Sequence, residues 1–71
     1  MYQPRSREKL YAFFDQIGFS VEKNIMDAIF DYVSTDGLTS NIQSFRHELN
    51  FFLEARDTGR ENDWRRAHGL L

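Results

Sequence analysis

Cysteine is absent from this sequence, which removes disulfides, thiolate zinc sites and any cysteine nucleophile together. Histidine is scarce. His47 and His68 stand far apart on different expected helices, and neither belongs to a HExxH or comparable ligand spacing. No metal and no cofactor is therefore expected. The only proline is Pro4, where it interrupts no helical pattern. No apolar run approaches the ~20 residues of a membrane span. The stretch MYQPRSREK is charged and carries no apolar segment of the secretory kind, so the expected location is the cytoplasm without membrane insertion. There is also no glycine-rich phosphate loop, internal repeat or low-complexity linker.

These absences bear on a chain of 71 residues, read as a single small helical domain over 1–71. A domain of this size hides only about 60% of the surface that its unfolded chain exposes, and its core needs support. With disulfides and metal removed, self-association is the remaining support, and seven Phe, three Tyr and one Trp offer apolar surface for it. A homodimer is the expected state. The net charge of −2 lacks the strongly basic character of a nucleic-acid binder. Between Asp15 and Asp36 the acids Asp15, Glu22, Asp27, Asp31 and Asp36 face Lys23 alone, whereas most cations lie toward the two ends.

The periodicity predicts an all-α fold with three main helices, about 7–17, 21–34 and 41–56, and a short fourth at about 61–68. Helix one starts after Ser6, an expected N-cap, and places Leu10, Phe13, Phe14 and Ile17 on one stripe, with Gly18 at its C′ position. Ser20 is the expected cap of helix two, whose apolar residues, from Val21 through Ile25, Met26, Ile29 and Phe30 to Tyr32 and Val33, cover roughly half of its circumference at about 100° per residue. A helix this widely apolar needs cover from two sides, which makes it the expected centre. After a turn at Gly37, Ser40 and Gln43 fit a capping box for helix three. Its stripe is Ile42, Phe45, Leu49, Phe52 and Leu53, and the two helices pack as an αα-hairpin. Phe51 falls off that stripe and requires cover from the last segment or from a partner. On the last segment Trp64, Ala67, His68 and Leu71 share one side.

Chemical constellations are few. Asp27 and Asp31 lie one helical turn apart and resemble a carboxylate pair for acid–base work, but no nucleophile or third group accompanies them, so a solvated face is expected. DYVSTDG fails the calcium-loop spacing, because Tyr32 and Gln43 would hold its first and last ligand positions. No catalytic residue is assigned and no enzymatic activity is expected. Helix two, its turn and helix three have the order of a helix-turn-helix, in which Arg46, His47 and Asn50 would contact DNA. Against that, Arg46 is balanced by Glu48 and Glu54, and helix two is acidic where phosphates would pass. The residues expected at an interface between proteins are Phe51, Phe30, Met26, Trp64 and Leu71.

The aromatic pair Phe13-Phe14, Glu22 ahead of an apolar helix, Gly37 in the turn, Leu53-Glu54, and the closing Trp64-Arg65-Arg66 together resemble the small enterobacterial AriR/YcgZ family. The resemblance spans roughly Tyr11 to Leu71, with a slip of register in the final segment. That family comprises biofilm-development, acid-resistance and two-component connector proteins. The resemblance implies an all-helical dimer without enzymatic activity that regulates biofilm and stress genes through protein partners, with DNA binding in some members. The expected function is a small regulatory adaptor that binds itself and another, unidentified protein. The alternatives are a helix-turn-helix-like transcriptional regulator and an inhibitor of a host protein encoded by a phage or other mobile element.

Overall fold

Four helices and a two-stranded sheet make up the described part of the chain, in the order β1 (Pro4–Ser6), α1 (Arg7–Gln16), α2 (Lys23–Val33), β2 (Thr39–Asn41), α3 (Ile42–Asp57) and α4 (Glu61–Ala67). The computed structural model describes residues 4–71. The first three residues of MYQPRSREK lie outside the described residues. Each helix falls within about two residues of its expected span, the ordinary scatter of helix ends.

The apolar stripes converge on one cluster, except that Phe13 and Ile17, expected on the first helix's stripe, stay outside it and exposed. Leu10 and Phe14 of α1, Ile25, Met26, Ile29 and Phe30 of α2, Phe45, Leu49 and Phe52 of α3, and Trp64 of α4 are all buried together. Phe14 stacks on Phe45 at 5.2 Å, while Tyr11 meets Phe30 and Phe45 at 6.5 and 6.2 Å, so α1 lies against both α2 and α3. The wide apolar side of α2 is thus covered from two directions, as its breadth requires. Tyr32 is the exception within that set. It stands 66% exposed at the margin. Among the described residues, no helix is long and apolar enough to cross a membrane.

Three of the four helices, α1, α3 and α4, end at a glycine of positive φ, whereas α2 ends at Ser34 in extended backbone. Gly18 (φ 97°) lets the N–H of Phe19 return to the carbonyl of Phe14 at 3.0 Å, and Phe19 packs on Phe14 with ring centres 5.5 Å apart. This is the left-handed C-terminal motif with its usual apolar contact. Gly69 (φ 75°) does the same for α4, where the N–H of Leu70 reaches the carbonyl of Arg65 at 2.7 Å. The chain therefore leaves helical phase before its last two residues. Leu70 packs against the core, and Leu71, expected on the side of Trp64 and at an interface, remains exposed.

Three local expectations are corrected. The fold is mostly helical but includes the small antiparallel sheet, which pairs Arg5 with Ser40 across the bundle. Ser40 is consequently buried in β2, and the cap of α3 passes to Asn41, whose Oδ1 accepts from the N–H groups of Gln43 and Ser44 at 2.7 and 3.3 Å. Neither Ser6 nor Ser20 caps with its side chain. Ser6 occupies the N-cap position without a side-chain bond, and Glu22 stands at that of α2, with Ser20 in the preceding connection offering its carbonyl to Arg56.

Candidate partner-binding surfaces

The carboxylate pair on α2 is held from within the chain. Arg7, the first residue of α1, sends Nη1 to Asp27 Oδ1 at 2.8 Å and Nη2 to Asp31 Oδ1 at 2.9 Å. Its guanidinium lies over the Phe30 ring at 4.5 Å, a cation–π contact. Tyr11, one turn further along α1, donates its hydroxyl to the same Asp27 oxygen at 2.5 Å. The Tyr11 hydroxyl and Arg7 hold the Asp27 carboxyl below the usual range. Burial and the neighbouring Asp27 push the Tyr11 phenol well above its ordinary value. Bonding to Asp27 likewise holds the Arg7 proton more tightly. The face is solvent-accessible as expected, with Asp31 67% exposed, and it also forms a clasp between α1 and α2 in which Asp27 stays ionised at neutral pH. Sequence spacing gave no sign of this clasp, because Arg7 reaches across from another helix.

The DYVSTDG region is similarly self-contained. The Asp36 carboxylate accepts the N–H groups of Thr39 and Leu38, each at 2.8 Å, and the Thr39 hydroxyl at 3.0 Å. These bonds bring its pKa down to about 2. The carboxylate organises the turn leading into β2. Among the described residues, no three His, Asp or Glu side chains gather in a way that would hold a metal ion.

The expected interface residues divide into two groups. Phe30, Met26 and Trp64 are buried in the chain's own core, with Trp64 edge-on to Phe52 at 4.9 Å and stacked on His68 at 3.9 Å. Trp64 therefore covers Phe52 and not its neighbour. Phe51 is 53% exposed and touches the His47 ring edge-on at 5.1 Å, and Leu71 is 67% exposed. Elsewhere Phe13 on α1 and Ile17 at its C-cap, one turn apart, also remain exposed. The residues assigned to DNA in the alternative reading, Arg46, His47 and Asn50, are exposed on α3 as well. The connection before them runs over residues 34–41 and contains β2, longer than the three or four residues that usually join a helix-turn-helix.

A second surface was not anticipated. An open groove of about 780 Å³ runs along the outer side of α2, bounded by Asp27, Asp31, Tyr32 and Ala28, by Glu48 of α3 and by the turn after α4. Its signal in the sequence was the acidic run of α2, but the wall opposite depends on the reversal at Gly69. Compared with protein-family models, curated proteins and solved structures, the chain matches none.

Proposed function

We propose that the chain is a small non-enzymatic regulatory adaptor, cytoplasmic and homodimeric, that works by binding another protein. The observation that carries this reading is Phe51. The core closes without it, Trp64 packs elsewhere, and a half-exposed aromatic remains on α3 beside His47. Single exposed apolar residues are ordinary, but a phenylalanine on a helix flanked by polar residues is the kind of anchor that loses its water at the centre of an interface. The resemblance to the AriR/YcgZ group supports the same assignment and suggests biofilm, stress or two-component control as its setting. The clasp on Asp27 supports a non-catalytic role, since a carboxylate kept ionised by a guanidinium and a phenol is poorly suited to donate a proton.

The rival is DNA reading by the polar residues of the same helix. Self-association, partner capture and DNA retardation measured on Phe51→Ala, Arg46→Ala and Asn50→Ala rank the two. The adaptor reading expects Phe51→Ala to weaken protein binding by about tenfold or more, with the other two near wild type. Normal binding by Phe51→Ala, with salt-sensitive DNA retardation lost in Arg46→Ala, would refute it.

A further inference from the structure

The groove beside α2 is mostly apolar at its base and acidic at its rim. Ala28 and Leu70 are half-buried there, and Asp27, Asp31 and Glu48 border it without any lysine or arginine among the bounding residues. Arg7 occupies one oxygen of each aspartate from the α1 side, leaving Asp27 Oδ2 and Asp31 Oδ2 without a hydrogen bond among the described residues. Glu48 makes no ion pair among the described residues. Tyr32 adds an exposed ring and contacts His68 edge-on at 5.5 Å across the groove's end. On its other flank this same pair of aspartates already receives a guanidinium that rests on an aromatic ring, in the clasp of Arg7 over Phe30. The open flank presents the same chemical elements, carboxylates beside an aromatic ring.

We propose that this groove receives a basic, amphipathic segment of a protein partner, with an arginine or lysine lying between Asp31 and Glu48, its stem on Ala28 and Leu70, and its charge beside Tyr32. An aliphatic stem on an apolar base with a charged head at an acidic rim is the ordinary way in which long cationic side chains bind. The inference rests on the adaptor reading in taking the occupant to be a protein. It names a surface separate from Phe51.

The test uses the full chain and a short peptide alternating arginine and leucine, with a counterpart in which every arginine is glutamine. Trp64, the single tryptophan, stacks on the His68 that borders the groove and so reports occupancy by its fluorescence. Backbone amide shifts locate the site. The arginine peptide is expected to move the amides of Ala28, Tyr32 and Leu70, with affinity falling as salt rises. The glutamine peptide, and the arginine peptide on a chain carrying Asp31→Asn with Glu48→Gln, are each expected to bind about tenfold more weakly. These substitutions keep side-chain shape, and unchanged helical circular dichroism confirms that the variant is folded. Absence of binding, equal binding of both peptides, or shifts away from the groove would overturn the proposal. So would groove shifts that follow chain concentration without peptide, since they would place a second copy there. Phe51→Ala in the same series separates the readings. Failure of the peptide beside weakened self-association of Phe51→Ala removes the groove alone. Peptide binding beside an unaltered Phe51→Ala upholds the groove and removes the Phe51 interface.

Discussion

Asp27 on α2 and Phe51 on α3 both lie outside the apolar stripes of their helices, yet the chain treats them in opposite ways. Around Asp27 a guanidinium and a phenol arrive from α1, and one carboxylate oxygen takes both bonds. Around Phe51 the one aromatic contact among the described residues is the edge of His47, and the ring is left 53% exposed, although Trp64 packs against the adjacent Phe52. A charged group has been given intramolecular partners on one of its oxygens while a large apolar group has been left half-exposed. Because leaving a partly buried carboxylate unpaired is costly and exposing a single ring is tolerated, the first arrangement reads as stability and the second as a surface for something else.

Phe30 is fully buried under Arg7 and against Tyr11. Phe30→Ala should cost about 3–5 kcal/mol, comparable with the whole stability of a domain this small, so loss of the cooperative thermal transition is expected. A stable, cooperative variant would show that α2 is not the centre of the core. Trp64 offers a finer comparison, because its buried Nε1 has no hydrogen-bond partner among the described residues. Trp64→Phe should therefore stay within about 1 kcal/mol of wild type in urea unfolding, whereas Trp64→Ala loses about 3 kcal/mol or more. Equal losses would mean that the indole N–H has a partner after all.

Arg7→Ala and Asn41→Ala are expected to cost about 1 kcal/mol each. Arg7→Ala removes a partly exposed ion pair and leaves Asp27 and Asp31 repelling one turn apart. Asn41→Ala removes the α3 cap. If Ser40→Ala costs as much through loss of a cap as Asn41→Ala, the register of β2 is misplaced.

Titration gives a further check. Asp27 and Asp36 both have lowered folded-state values, Asp36 about 2. The unfolded chain therefore takes up protons first on acidification. The contribution of these groups is present above about pH 4 and is lost as pH falls toward 2. For Tyr11 the sign reverses. Its phenol is raised, so its contribution is present below about pH 10 and is lost as pH rises beyond that. Melting temperature should fall at both ends, and Tyr11→Phe should flatten the alkaline side. An alkaline fall of the same size in Tyr11→Phe would place its origin elsewhere.

The helices were legible because their signals are local. Apolar spacing near 3.6 and glycines at 18, 59 and 69 mark spans and stops within a few residues of one another. The strands were not, since three-residue segments carry no readable alternation and Arg5 pairs with Ser40, a partner distant in sequence. That pairing also decided between two adjacent cap-capable residues, Ser40 and Asn41. At the surface, Phe51 was visible from helical phase alone. The Arg7 clasp and the α2 groove were hidden, because each joins side chains whose proximity depends on how α1 and the segment after α4 dock.

The smallest expected effect on folding belongs to the residue on which the proposed function rests. Phe51→Ala should change monomer stability by less than about 0.5 kcal/mol, as an exposed residue does, while weakening the proposed contact between copies. Sedimentation equilibrium of wild type and Phe51→Ala over a hundredfold range of concentration, with melting temperature recorded on the same samples, puts this to the test. The account predicts a wild-type dimer whose melting temperature rises with concentration, and a Phe51→Ala chain that dimerises about tenfold more weakly. A monomeric mass and a flat melting temperature for both chains throughout the range would contradict it.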